Sequence, residues 1–235
     1  MHPQQQLIFT ELEALVASSE AFYRQEFALD GSRFWIYNYR LASYTDFLAP
    51  SALECRGIMF EVDAADQPIR LASFPFPKFF NLNENPMTIG LDISAVDTIE
   101  LKADGSLMST YTHNDQVRLK SKGSLFSEQA IDGTQWLHNH PKLARALKSL
   151  NDLGWTVNLE WCAPHNRIVI GYEDPHLMVL NARHRITGAY MARSTLEDVC
   201  GKSNVISCVD TNGLDVAAFI QSIAAMQDDV EGYVA

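Results

Sequence analysis

A chain of 235 residues has room for one large domain, or for one domain with a small appendage. Its 47% hydrophobic and 20% charged residues make a globular balance that excludes a disordered chain, and no apolar run approaches the roughly 18 residues of a membrane span, so a soluble protein is expected. The formal charge of −11 argues against a protein that coats nucleic acid non-specifically, although a local basic groove can still take a nucleic acid end.

The N-terminus has no basic residue ahead of its apolar positions and no small-residue cleavage site, which speaks against a secretory signal. Leu7, Ile8, Leu12, Leu15, Val16, Phe22 and Tyr23 recur at helical spacing and predict an amphipathic helix over residues 7–25. From Arg33 the texture changes to short β-like runs at 33–39, 56–62, 97–102, 107–113, 116–121, 155–161, 167–172 and 176–183. Turn residues separate them, as in Ala103-Asp104-Gly105-Ser106 and His113-Asn114-Asp115-Gln116. Strands this close in sequence predict largely antiparallel sheets. Residues 140–154 read as a helix with Pro141 in its first turn and Gly154 as its stop, its basic stripe of Lys142, Arg145 and Lys148 facing solvent. A further helix is predicted over residues 213–226. No repeat or linker divides the chain, so the expectation is one α+β domain over residues 1–235, antiparallel sheets with flanking helices.

Cys55, Cys162, Cys200 and Cys208 form no C-x-x-C pair, and their spacing is too irregular for zinc; they read as free thiols in a reducing cytoplasm. Cys55 and Cys162 are expected as small buried side chains. His138 and His140 lack a third ligand and read as surface residues.

The chemistry concentrates around Lys102-Ala103-Asp104-Gly105-Ser106. A lysine opening a tight Asp-Gly turn at a strand end would be held by a hairpin with its amine projecting into a cleft, although the same letters also describe an ordinary exposed turn. Further segments accompany it. Upstream are Glu54-Cys55-Arg56-Gly57-Ile58-Met59-Phe60 and Lys78-Phe79-Phe80-Asn81-Leu82-Asn83-Glu84. Downstream are Lys120-Ser121-Lys122-Gly123-Ser124, the run from Asn158 through Glu160 to Val169, and the closing Glu231-Gly232-Tyr233-Val234-Ala235. A lysine amine, ordinarily near pKa 10.4, becomes a nucleophile at neutral pH when neighbouring cations disfavour its ammonium form. Arg56, Lys78 and Lys122 are the cations expected to do this. Arg118, Lys120 and Lys122 alternate along one strand and share a face, turned either to solvent or to phosphates. Glu160 lies in a mainly apolar run and needs a partner there.

The order of K-x-D-G, a strand-borne glutamate and E-G-Y-V resembles the covalent nucleotidyltransferase superfamily of polynucleotide ligases and capping enzymes. Within it, the K-F-F-N-L-N-E-N-P, E-C-R-G-I-M-F-E, K-S-K-G-S and A-P-x-N-R-I-V segments resemble the bacteriophage RNA ligase 1 family, the tRNA-repair ligases. The likeness runs from about Tyr37 to Ala235. It implies a nucleotidyltransferase (adenylation) fold and an ATP- and Mg2+-dependent RNA ligase acting on RNA ends, broken tRNA among them. It further implies a monomer, in the host cytoplasm if the gene is a phage's.

By the same resemblance, Lys102 attacks the α-phosphate, and Glu160 binds the nucleotide sugar and supports catalysis. Tyr39, Arg56 and Lys78 contact ATP, and Gly105 lets the backbone approach the nucleotide. Lys122 and Glu231 match essential positions, Glu231 as a metal-site carboxylate. Ligases of the superfamily carry a further K-x-K strand after E-G-Y-V, and this family a C-terminal helical domain. The chain stops three residues after Gly232, so it is expected to be truncated before that motif and impaired in self-adenylation. The competing readings are a ligase for nicked DNA or a capping enzyme, and a non-catalytic remnant that binds nucleotides or RNA ends.

Overall fold

Helix α1 (Pro3–Ser18) begins where His2 caps it: the ring accepts from the Gln4 N–H, the Gln5 side chain accepts from the His2 N–H, and Pro3 takes the first helical position. The helix ends short of residue 25, because Phe22 and Tyr23 belong to β1 (Phe22–Leu29), paired antiparallel with β2 (Ser32–Tyr39). The connecting Asp30 and Gly31 both have positive φ, 47° and 86°, the two-residue turn whose twist suits a hairpin. Cross-strand pairing thus outweighs the helical spacing of two aromatic residues. Strands β3 (Ile58–Val62) and β4 (Pro68–Ser73) complete a sheet ordered β1-β2-β3-β4.

The computed structural model describes residues 1–93, 96, 98–166, 169–223 and 231–235. Of the expected elements, Asp97 of the 97–102 strand, Arg167 and Ile168 of the 167–172 strand and of the A-P-x-N-R-I-V segment, and residues 224–226 of the 213–226 helix lie outside it. Strand β5 (Ile99–Leu101) stands apart from the second four-stranded sheet, which comprises β6 (Ser106–His113), β7 (Gln116–Ser121), β8 (Trp155–Cys162) and β9 (His176–His184) in the order β7-β6-β8-β9. The predicted turn between β6 and β7 forms, with Asn114 and Asp115 at φ 49° and 58°. Short strands β10 (Cys208–Val209) and β11 (Tyr233–Val234) flank β5 in a three-stranded sheet. Every ladder between these strands is antiparallel.

Alternation along β2 builds the layers. Trp35 and Tyr37 turn outward to pack with Phe9, Leu12 and Leu15 of α1, while Phe34 and Ile36 turn inward to meet Tyr111 and Leu125 across the interface between the two large sheets. The outer face of the second sheet is covered by α2 (Glu128–His138), α3 (Pro141–Asp152) and α4 (Arg193–Cys200). Helix α3 begins at Pro141 and stops before Gly154, whose φ is 93°, as expected. Of the helix predicted over 213–226, helix α5 covers Val216–Ile223; it starts three residues late, because Gly213 sits in a turn at φ 72° and Leu214 and Asp215 are not helical. No described helix is long and apolar enough to cross a membrane.

Candidate active site

Lys102 follows directly on β5, where its N–H donates to the Gly232 carbonyl at 2.9 Å and β11 runs antiparallel beside it. This pairing brings Glu231 onto Lys102, and the ammonium forms an ion pair with Glu231 Oε1. Glu231 Oε2 is buried with no hydrogen-bond partner among the described residues. A buried carboxylate oxygen without a donor is costly, and a hard cation is the kind of partner that satisfies it.

Residues 102–105 do not form the expected hairpin. They carry the chain out of the small sheet into β6, and β5 and β6 do not pair. Asp104 explains the path. It is completely buried, and its Oδ2 accepts from the Val169 and Ile170 N–H groups at 2.6 and 2.5 Å. Its own N–H donates to the Tyr172 hydroxyl at 3.1 Å. Those contacts take up the Val169 and Ile170 N–H groups, and the described part of the strand expected over 167–172 is loop. Gly105 is required by close approach: a Cβ there would strike the Trp161 carbonyl, 2.9 Å from its carbon, and reach within 3.3 Å of Glu160 Cγ. This packing against β8 gives the glycine a role beside the expected one of admitting a nucleotide.

Glu160 sits on β8 between Leu107 of β6 and Met178 of β9. Burial pushes its carboxyl up to about 7; Lys102 and Arg56 oppose the shift, and Asp104 adds to it.

Three cations cluster with one another. Arg56, in the turn before β3, lays its guanidinium over Phe76 at 4.3 Å and Phe79 at 5.3 Å, and its Nη1 is buried without a partner among the described residues. Lys78 donates to the Phe79 carbonyl at 2.6 Å and lies 4.3 Å over the Phe80 ring. Lys122 lies 3.8 Å over the Tyr39 ring. Burial lowers the pKa of all three; Arg56 and Lys78 lower Lys122 further, whereas Glu84 partly restores Lys78. Gly57, at φ 90°, lets the Arg56 turn touch β7: a Cβ would lie 2.5 Å from the Lys122 carbonyl oxygen and 3.1 Å from Lys120 Nζ. Lys120 itself is completely buried, its amine pushed down to about 7 by burial. The alternating Arg118–Lys120–Lys122 face is therefore neither a solvated stripe nor a uniform phosphate track.

Arg56, Lys78, Lys102, Gly105 and Glu160 line one cavity of about 770 Å³. Tyr39 and Lys122 are not on its wall; they join through Arg56, whose charge acts on both. Glu231 joins through Lys102. The sequence reading assigned no site role to Phe79, although it lies in the K-F-F-N segment, and none to Phe76, Asn181 and Tyr190, also on the wall, or to the anchoring by Asp104. The run of phenylalanines and prolines from Phe74 to Phe80 was the available signal for the aromatic wall. His138 and His140 are exposed, and no group of three or more metal-ligating side chains occurs among the described residues.

A profile described as RNA ligase, of the T4 RNA ligase 1 type, matches residues 54–235, which span all of these wall residues. The chain belongs to the RNA ligase 1 family. A Thermovibrio ammonificans protein provisionally named an RNA ligase is 30% identical over 155 residues, 66% of this chain and 40% of that protein. An archaeal ATP-dependent RNA ligase superposes with a TM-score of 0.61 at 12% identity, over 95% of this chain and 56% of its own. An Aquifex aeolicus protein provisionally named an ATP-dependent DNA ligase gives 0.55 at 13% identity, over 95% and 58%. The two structures share the fold, a ligase nucleotidyltransferase domain. This chain spans 40% of the curated relative's length and a little over half of each structure's.

In this RNA ligase family chain the charges are sorted rather than mixed. The cations expected to surround Lys102 cluster around Arg56, whereas Lys102 is in contact with Glu231; the two groups meet at Glu160, on which both Arg56 and Lys102 act. The physical reason is strand pairing: β11 delivers Glu231, and β8 delivers Glu160, to the end of β5.

Proposed function

We propose that residues 1–235 form the adenylation domain of an ATP-dependent RNA ligase that works through a lysyl–AMP intermediate. The observation that carries this reading is the meeting of Lys102, Glu160, Arg56 and Lys78, from segments of three sheets, on one cavity of about 770 Å³, a volume suited to a nucleoside triphosphate.

In this reading Lys102 Nζ forms a bond to the α-phosphorus of ATP as the bond to the pyrophosphate oxygen breaks. An ammonium has no free electron pair, so its proton must leave first, and Glu231, in contact with it, takes that proton. Arg56 and Lys78, backed by Lys122, neutralise the triphosphate, and Tyr39, by the resemblance, contacts ATP beside Arg56. Glu160 accepts a hydrogen bond from a sugar hydroxyl, and Gly105 keeps the adjoining wall free of a side chain. Glu231 Oε2 is the oxygen that would hold a divalent cation, taken from the family resemblance to be Mg2+, which when bound supplies further charge neutralisation at the phosphates. An RNA 5′-phosphate oxygen then attacks the AMP phosphorus and Lys102 leaves. Finally a 3′-hydroxyl attacks the activated 5′-phosphate, expelling AMP and sealing the strand. By the resemblance the RNA is broken tRNA and the enzyme a cytoplasmic monomer.

The test is transfer of label from radiolabelled ATP with Mg2+ to the protein. In a form extended through the K-x-K strand that the resemblance implies, label is expected with Lys102 in place and absent from Lys102→Ala and from Lys102→Arg, whose guanidinium stays protonated. Label persisting in the alanine variant would mean that the nucleophile lies elsewhere.

A further inference from the structure

One wall of the cavity carries a feature that phosphate chemistry leaves unused. Ser109 of β6, Asn158 of β8 and Asn181 of β9 lie side by side in register across three strands. Ser109 is 2% exposed and Asn158 0%. Burying two polar side chains is costly unless they are hydrogen-bonded, and here they are bonded in sequence. Ser109 Oγ donates to Asn158 Oδ1 at 2.8 Å, and Asn158 Nδ2 donates to Asn181 Oδ1 at 2.8 Å. The chain ends at Asn181, on the cavity wall. Its carbonyl oxygen is committed inward, and its amide nitrogen makes no hydrogen bond among the described residues.

The backbone is shaped to present this side chain. On a regular strand, adjacent residues point to opposite faces. Yet Leu180 and Asn181 both line the cavity. The register explains it: Asn158 pairs with Asn181 and Leu159 with Val179, so Leu180 is the extra residue of a bulge. Bulges re-aim side chains in this way beside sites.

We propose that Asn181 is a specificity-determining residue of the nucleotide site, its amide nitrogen donating to the N1 edge of the purine base. Adenine has an acceptor at N1, whereas guanine carries N1–H there and would set donor against donor. Asn158 is the positioning residue that fixes the polarity of the Asn181 amide. The inference rests on the nucleotide-site reading above and adds which side chain reads the base.

Calorimetry with α,β-methylene ATP and α,β-methylene GTP, and competition with 1-deaza-ATP, test it. The wild type is expected to prefer the adenine nucleotide by roughly tenfold to a hundredfold, the usual consequence of leaving a polar group unpaired, and to bind 1-deaza-ATP about tenfold more weakly than ATP. Asn181→Leu should erase the preference. Asn158→Asp is the sharper variant: a carboxylate there can only accept, so the Asn181 amide must turn to donate inward and present its oxygen to the cavity. The adenine preference should then collapse or reverse, although residue 158 is buried beneath Asn181. Equal binding of 1-deaza-ATP and ATP by the wild type would overturn the proposal without depending on how any variant folds. So would an unchanged ATP/GTP ratio in both folded variants. Failure of the wild type to bind any of these nucleotides would instead remove the nucleotide-site reading itself.

Discussion

Replacing Glu160 by glutamine sets the needs of the fold against those of the site. Burial holds this carboxyl near 7 against its ordinary 4.5. In the unfolded chain it ionises at the lower value, so across that window the native state binds the extra proton. Stability therefore falls as pH rises from 4.5 to 7 and stays level above. At 1.36 kcal/mol per pH unit the full shift corresponds to about 3 kcal/mol, an upper figure because part of the side chain faces the cavity. Glutamine keeps the shape and has nothing to ionise. Denaturant unfolding of both proteins at pH 5 and pH 8 should show the wild type losing roughly 2–3 kcal/mol relative to Glu160→Gln between them. Lysyl–AMP formation should move the other way, because the proposed sugar contact needs the ionised form. Wild-type activity should fall as pH drops below 7 with a one-proton slope, and the variant should be slow at every pH. Parallel stability differences at pH 5 and pH 8, or a glutamine variant less stable than the wild type at pH 8, would refute the reasoning.

Gly105→Ala should destabilise the fold by about 1–3 kcal/mol, because its Cβ meets the Trp161 backbone rather than a flexible side chain; equal denaturation midpoints would show that β8 gives way. Lys120→Met should flatten the pH dependence of stability. The buried amine sits near 7 against an ordinary 10.5, so in that window the unfolded chain binds the extra proton and wild-type stability rises with pH. Near pH 7 the methionine variant should be more stable by on the order of 4 kcal/mol, and unfolding curves that stay parallel from pH 7 to 10 would remove the case.

The sequence announced the β-rich middle and the α3 boundaries because those signals are local: alternation, a proline at the start, a glycine at the stop. It misplaced the end of α1 because Phe22 and Tyr23 satisfy helical spacing, and only pairing with Tyr39 and Asn38 assigns them to a strand. The Asp104-Gly105 pair reads as a turn in any local grammar. Its real use, a buried carboxylate gripping the N–H groups of residues 65 and 66 positions away, is set by tertiary structure. Lys102 and its cavity partners could be named from motif order, but their grouping into two charge clusters could not. That grouping depends on β11 lying beside β5 and on the Gly57 turn touching β7. Asn181 was invisible for a similar reason, since a bulge turns it toward the cavity and buried neighbours orient it.

The sorting of charge has a consequence for the order in which such a site can work. An anionic ligand entering the cavity is drawn toward Arg56, Lys78 and Lys122, whose ammonium and guanidinium groups are partly desolvated and crowd one another. The same ligand is repelled by Glu160 and Glu231 at the Lys102 end. On the proposed reading the α-phosphorus must nevertheless reach Lys102, so the negative charge at that end has to be compensated in the same step. Glu231 has two ways to achieve this: Oε1 can accept the Lys102 proton, or Oε2, without a partner among the described residues, can hold a cation beside the phosphate. Either removes the ion pair that ties Lys102 down and lowers the repulsion toward the phosphate. The carboxylate that restrains the amine is therefore also the group through which nucleotide binding would release it. The pairing of β11 with β5 brings it there, since Lys102 and Glu231 are 129 positions apart in the chain.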